Sequence, residues 1–237
     1  MTTTVEIEQL TLQDLEQRLG LQRSDDPDFF REWRDRLPEL GEIERDRLQR
    51  IQASYANLER RSVLENTAKL AVVAPLLDLA GFFLPPFYVD TETSVEIVGD
   101  RPVDANPMGG EKLRGRVDSL VLMGRLWVLA IESKRAEFSV KVGIPQVLGY
   151  MLAAAPDRQA RFGLVTNGSS FVFLKLAKVL TFPDDADTPL YSWQYDKSPE
   201  LILDRADDLA TVLQVMKKLG AIVSQDEVVT SPLDLSS

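Results

Sequence analysis

Apolar positions recur at helical spacing through the first part of this chain and turn to alternation beyond residue 90. Val5-Glu6-Ile7 reads as a short strand or arm, and Leu12 to Leu19 as a helix that Gly20 stops. This amino-terminal part is expected to be peripheral. Asp25-Asp26-Pro27 reads as a helix start, with Phe29, Phe30, Trp33 and Leu37 on one face until Pro38 intervenes. From Glu39 to about Leu79 helical spacing persists through Leu40, Ile43, Leu48, Ile51, Tyr55 and Leu58, then Leu64, Ala68, Val72 and Leu76. Pro75 is expected to kink or restart this helix and Gly81 to end it.

Ser94-Val95-Glu96-Ile97-Val98 then alternates as a strand does, and Gly99 to Gly110, rich in Pro, Gly, Asp and Asn, reads as a loop. Val117 to Met123 and Leu126 to Ile131 flank Gly124-Arg125 and predict a hairpin. Gly143-Ile144-Pro145 opens a helix with Pro145 at its first position, running through Gln146, Leu148 and Tyr150 until Pro156 closes it. Phe162 to Thr166 and Phe171 to Leu176 are strands joined through Asn167-Gly168. A last helix is expected from about Arg205 to Leu219, with a frayed end after it. The order predicts an α/β or α+β domain, a central mixed sheet flanked by helices. Its expected divisions are a helical extension over 1–60, a core over 61–182, and a carboxy-terminal loop and helix over 183–237 packed on that core.

Composition narrows the chemistry. At 237 residues, 44% hydrophobic and 27% charged, the chain is long enough and apolar enough for one well-buried core. It has no cysteine, which removes disulfides, thiolate metal sites and cysteine nucleophiles. It has no histidine either, so imidazole bases, imidazole ligands and Ser-His-Asp arrangements are excluded. Carboxylates, lysine and tyrosine must do any proton work. Prolines, a glycine and an aspartate interrupt the apolar run Leu70 to Phe87, so no membrane span is expected, and no basic region leads into an apolar run at the amino end. A soluble, cytoplasmic protein is the expectation. The net charge of −10 opposes a nucleic-acid partner, yet Arg101 to Arg161 hold ten Lys/Arg against six Asp/Glu, a local +4. A basic working face on an acidic whole is compatible with DNA binding. The chain contains no Gly-rich phosphate loop, so ATP-driven activity is not supported.

The informative segment is Gly115-Arg116-Val117-Asp118, then Ile131-Glu132-Ser133-Lys134. If paired residues of the hairpin sum to 250, Asp118 lies across from Glu132, and Lys134, two residues on, points to the same face. That register requires an odd-numbered loop or a bulge near Gly124, because a strict two-residue turn would put the two acids on opposite faces. Opposed carboxylates repel; a divalent cation reverses the sign. Mg²⁺ takes one or two carboxylates with waters and substrate phosphate, and the Ser133 carbonyl could complete the set. Lys134 would position or deprotonate the attacking water or stabilise charge on the phosphate. A Ser133-Lys134 hydrolase is disfavoured, since adjacent strand residues point to opposite faces.

This segment resembles the PD-(D/E)XK nuclease superfamily, whose core pattern is Asp, a gap to the next strand, then Glu-x-Lys. Gln146-Val147-Leu148-Gly149-Tyr150 is similar to the Gln-x-x-x-Tyr motif on the following helix, found in type I restriction nuclease domains and RecB-like nucleases. Glu65-Asn66-Thr67-Ala68-Lys69, leading to Pro75-Leu76-Leu77 and Gly81-Phe82, resembles the first core helix of type I restriction R-subunit amino-terminal domains. The resemblance covers roughly residues 60 to 180. It implies a restriction-endonuclease-like core, with Asp118 and Glu132 as metal ligands, Glu65 an auxiliary acid and Lys134 the catalytic lysine. Gln146 and Tyr150 would contact the site or the DNA backbone. It implies Mg²⁺, with Mn²⁺ a substitute, DNA as substrate and other restriction-system subunits as partners. Val117 stands where the family usually has proline, and the chain holds no helicase motor. The rival expectation is a DNA-binding or assembly module that keeps the fold without cutting. The long amphipathic helix before residue 60 leaves docking on the core and pairing as a homodimer both open.

Overall fold

The amino-terminal residues build strand as well as helix. β1 (Thr4–Glu6) passes through a 3-10 turn at Ile7–Gln9 into α1 (Leu12–Leu19). The Thr11 hydroxyl accepts from the Asp14 amide and the Asp14 carboxylate accepts from the Thr11 amide, a reciprocal cap. Gly20, at φ 63, closes the helix and leads into β2 (Leu21–Arg23). α2 (Glu42–Leu58) follows, then α3 (Glu65–Ala68), a π-helical segment (Lys69–Val73) and α4 (Ala74–Leu79). Pro75, in the first turn of α4, follows the π-helical segment without a break in helical backbone, so the run 65–79 carries its missing N–H in the wider turn before it. The second part holds β3 (Phe87–Val98), β4 (Lys112–Met123), β5 (Leu126–Ser133), α5 (Ile144–Ala153), β6 (Arg161–Thr166), β7 (Ser170–Thr181), β8 (Leu190–Lys197), β9 (Leu201–Ile202) and α6 (Asp208–Thr230). The computed structural model of the chain describes residues 4–61, 63–98, 112–123, 126–135, 138–153, 160–181 and 190–230.

The described strands form one mixed sheet in the order β1-β4-β5-β6-β7-β8-β2, with β3 on β4 and β9 on β7. β5 and β6 are parallel, and α5 is the crossover that this pairing requires. Alternate strand residues serve opposite layers. Val121, Leu129, Ile131, Leu164 and Phe173 meet α2, α3–α4 and α6; Leu120, Ala130, Val165, Val172 and Leu174 meet α1 and α5. The molecule is therefore α/β, a mixed sheet between two helical layers. No described helix is long and apolar enough to cross a membrane.

Several expectations change. The amino-terminal part is not peripheral: Ile7, Leu15 and Leu21 are fully or almost fully buried, and β1 and β2 pair in parallel with β4 and β8. Residues 27–37 are turns, not a helix. Backbone turns, such as Phe29 to Asp26 and Arg34 to Arg31, are joined by side chains: Asp26 accepts from the Asp28 amide, Arg34 donates to the Pro27 carbonyl, and Lys175 donates to the Phe29 carbonyl. Phe30 alone of the four apolar residues is buried, its ring stacked 6.2 Å from that of Phe162. The long helix from Glu39 breaks between Leu58 and Glu65, where Val63 turns into the core. The strand at Ser94 begins at Phe87, and the expected loop after residue 183 contains β8 and β9. The expected loop from Gly99 to Gly110, the Pro156 helix stop and the frayed end after residue 230 lie outside the described residues.

Candidate active site

A bulge sets the register on which the site depends. Ser119 pairs with Ile131, Leu120 with Ala130 and Val121 with Leu129, whereas Leu122 pairs with Trp127 and Met123 with Leu126. Val128 is the extra residue, and its insertion changes the pairing sum from 249 at Met123–Leu126 to 250 at Val121–Leu129. One step beyond the Ser119–Ile131 pair, Asp118 stands across from Glu132. Here β4 and β5 part: the Ser133 amide donates to Asp118 Oδ2 at 2.8 Å, so a side-chain oxygen fills the place of a ladder carbonyl. Asp118 Oδ1 lies 3.1 Å from Lys69 Nζ, which also reaches Glu65 Oε1 at 3.0 Å and Glu92 Oε1 at 3.9 Å. Glu65 thus meets Asp118 through a lysine.

Glu132 is only 5% exposed. Its Oε1 accepts from Lys134 Nζ at 2.7 Å, while Oε2 is buried with no hydrogen-bond partner among the described residues. Burial, followed by the negative charge of Asp118, pushes the Glu132 carboxyl up to about 7, against the pull of Lys134. Burial also raises Asp118, less the support of the Ser133 amide and Lys69. For Lys69 burial works against the charge, but Glu65 and Asp118 outweigh it and hold the ammonium above its usual range. The Lys134 amide donates to the Thr166 carbonyl at 2.7 Å, which anchors the lysine to β6.

α5 closes one side. Gln146 is buried, and Tyr150, fully buried, donates its hydroxyl to Glu8 Oε1 at 3.4 Å. Burial and the charges of Glu132, Glu8 and Asp118 keep the Tyr150 phenol well above its ordinary range, so it remains a neutral donor. Close approach needs glycine at two points. A Cβ at Gly115 would stand 2.7 Å from Tyr150 Cε1; one at Gly143 would stand 2.6 Å from Val165 Cγ1, 3.3 Å from Lys134 Cε and 3.5 Å from Glu132 Cγ. Gly143→Ala is therefore expected to destabilise the fold by on the order of 1–3 kcal/mol, and to shift Lys134. Urea unfolding measures the first effect. A stability within error of the native chain would show that Val165 yields and that the close approach is not required.

The donors suit a hard divalent cation in kind: two opposed carboxylates, one with a buried oxygen that no donor among the described residues serves. Among the described residues no three carboxylates gather on one point, so a cation here would have Asp118 and Glu132 as its carboxylates, with waters and backbone oxygens to complete its shell. Three residues near the site escape the sequence reading. Lys69 is one turn after Glu65, and that i, i+4 spacing is a visible signal. Glu8 comes from the amino-terminal turn and also accepts from the Arg116 amide at 3.3 Å; nothing in its neighbourhood announces it. Glu92 lies opposite Asp118 on the other flank, between the Thr91–Ser119 and Thr93–Val117 pairs, at φ 56. A non-glycine residue held there costs about 1–3 kcal/mol, a cost often found beside working sites.

No family model and no curated protein matches the chain. Among solved structures, a fragment assigned as an HsdR subunit of a type I restriction enzyme from Vibrio vulnificus is similar to 47% of this chain. The identity is 18% and the TM-score 0.36, and the match spans 21% of that chain.

Proposed function

We propose that this chain is a metal-dependent nuclease that hydrolyses DNA phosphodiester bonds at Asp118, Glu132 and Lys134, in a restriction or defence setting. The observation that carries the reading is the pair of opposed, largely buried carboxylates, with Glu132 Oε2 left without a partner beside the Lys134 ammonium. Two such acids repel and are held at a cost that a catalytic cation would reverse. The motif order Asp118, Glu132-x-Lys134, Gln146-x-x-x-Tyr150 supports the same class of chemistry.

Asp118 and Glu132 would hold Mg²⁺ or Mn²⁺, which when bound supplies charge neutralisation at the phosphate and a more acidic water. Lys134 orients the attacking water and balances negative charge at the phosphorus as the P–O bond to the leaving strand breaks. Tyr150, a neutral donor, holds Glu8 and shapes the wall behind Glu132. Gln146, buried on the same helix face four residues before Tyr150, would contact the site or the DNA backbone. Cytoplasmic location, restriction-system partners and self-association belong to the same proposal. Its test is cleavage of single- and double-stranded plasmid with Mg²⁺, with Mn²⁺ and with EDTA. Cutting only with the cation is the expected result. Absence of cutting by folded protein would favour the DNA-binding or assembly module.

A further inference from the structure

We propose that Lys69 is a built-in counter-cation that competes with the divalent ion for Asp118, so that cation occupancy of the site is set by a residue outside the Asp, Glu-x-Lys pattern. The inference rests on the nuclease reading for the existence of the ion, and deepens it.

Each acid of the pair has its own lysine. Lys134 serves Glu132 at 2.7 Å, and Lys69 serves Asp118 at 3.1 Å. Of the two Asp118 oxygens, Oδ2 is engaged by the Ser133 amide at 2.8 Å. Oδ1 carries no backbone hydrogen bond and faces Lys69, so a metal ion at this oxygen would meet the ammonium directly. An ammonium and a divalent ion at one carboxylate oxygen repel, and the Lys69 side chain, 18% exposed against 15% for Asp118, has little water to screen it. Glu65 holds the ammonium from the other side at 3.0 Å, so Lys69 fills the gap between two acids that would otherwise both be free to ligate.

The helix is irregular where Lys69 begins. The π-helical segment Lys69–Val73 follows directly on α3, and such wide turns inside helices recur at functional sites. The exit is open, since the side chains of Glu65 and Glu92 beside Lys69 are 37% and 49% exposed. A displaced ammonium on a flexible four-carbon stem can reach water there at little cost.

The experiment is titration of Mn²⁺ into the full chain at pH 8, by calorimetry, for the native protein and Lys69→Met. The variant is expected to bind Mn²⁺ about tenfold more tightly, because a competing positive charge is gone. It is also expected to melt lower than the native chain without the ion and to gain more from it. A purely structural lysine predicts equal or weaker binding in a folded variant, and that result overturns this inference while leaving the nuclease reading in place. No Mn²⁺ binding by either protein overturns both. Lys69→Gln, which keeps a hydrogen-bond donor without the charge, repeats the measurement if the apolar stem unsettles the helix; it is expected to tighten binding in the same direction.

Discussion

Alanine at Lys134 is expected to lower Mg²⁺-dependent DNA cleavage by about 10²–10⁴-fold, the range for removing a positioned proton-transfer or charge-stabilising group. Asp118→Ala should fall at least as far. The two roles differ, so the binding readouts should separate them. Lys134→Ala takes a positive charge from beside Glu132 Oε1, 2.7 Å away, and leaves both carboxylates in place. It should therefore keep its affinity for DNA and, with a competing positive charge gone, bind Mn²⁺ at least as tightly. Asp118→Ala removes the acceptor for the Ser133 amide and the partner of Lys69 as well as a ligand, so cation affinity and stability fall together. Asp118→Asn keeps an acceptor for the Ser133 amide while losing the ligand charge and the ion pair with Lys69, so it separates the Ser133 contribution to stability from the other two. Groups that act as one unit are not additive, so the double variant should cut no more slowly than the worse single one. Activity retained in Lys134→Ala would remove the lysine from the mechanism, and retained activity in all three variants would move the site elsewhere.

How much of this site could be read in the sequence turns on one residue, Val128. The two acids, the lysine and their spacing are visible, and so is the condition that a bulge must exist for them to meet. Nothing in the run Leu126 to Ile131 marks which residue is extra, because all are apolar and any could be skipped by the ladder. The bulge is chosen by packing: Leu129 and Ile131 serve the layer of α2 and α6 while Ala130 faces α5. The hairpin at Asn167-Gly168 was legible for the opposite reason. Its turn needs a left-handed residue, Gly168 has φ 90, and the Asn167 side chain accepts from the Ser169 and Ser170 amides.

Other features were present in the sequence and carried too little local weight. Tyr191-Ser192-Trp193-Gln194-Tyr195 alternates as a strand should, with Trp193 and Tyr195 buried, yet it follows an acidic, proline-containing stretch that reads as loop. The aromatic residues after Pro27 suggest a helical face, but the segment is held as turns by its own side chains Asp26 and Arg34 and by Lys175 of β7. Glu8 was illegible in principle. It reaches Tyr150 only because Ile7 fits over Gly149, where a Cβ would stand 2.7 Å from Ile7 Cγ2, a contact between residues far apart in the chain. Local patterns thus reveal the elements and the pattern-bearing acids, while the groups that surround them are set by tertiary packing.

The carboxyl of Glu132 makes the second large effect, and its sign is opposite to that of an ordinary ion-paired acid. In the folded chain burial pushes it up to about 7, above the ordinary 4.5 that it regains on unfolding. The folded state therefore holds the proton more tightly, and the stabilisation is fully present below 4.5 and lost as pH rises through 7. The loss is on the order of 3 kcal/mol for a group this deeply buried. In metal-free buffer, urea midpoints should fall between pH 4.5 and 7.5. Glu132→Gln, neutral at every pH, should remove that part of the slope. A divalent cation binds the ionised form, so saturating Mg²⁺ should flatten the profile by lowering the folded-state value, and cleavage should rise with pH over the same window. The outcome against this is a native profile that matches Glu132→Gln with and without the cation. Glu132 would then be ionised and comfortable without a metal, and the unpartnered oxygen would lose its force as the sign of a cation site.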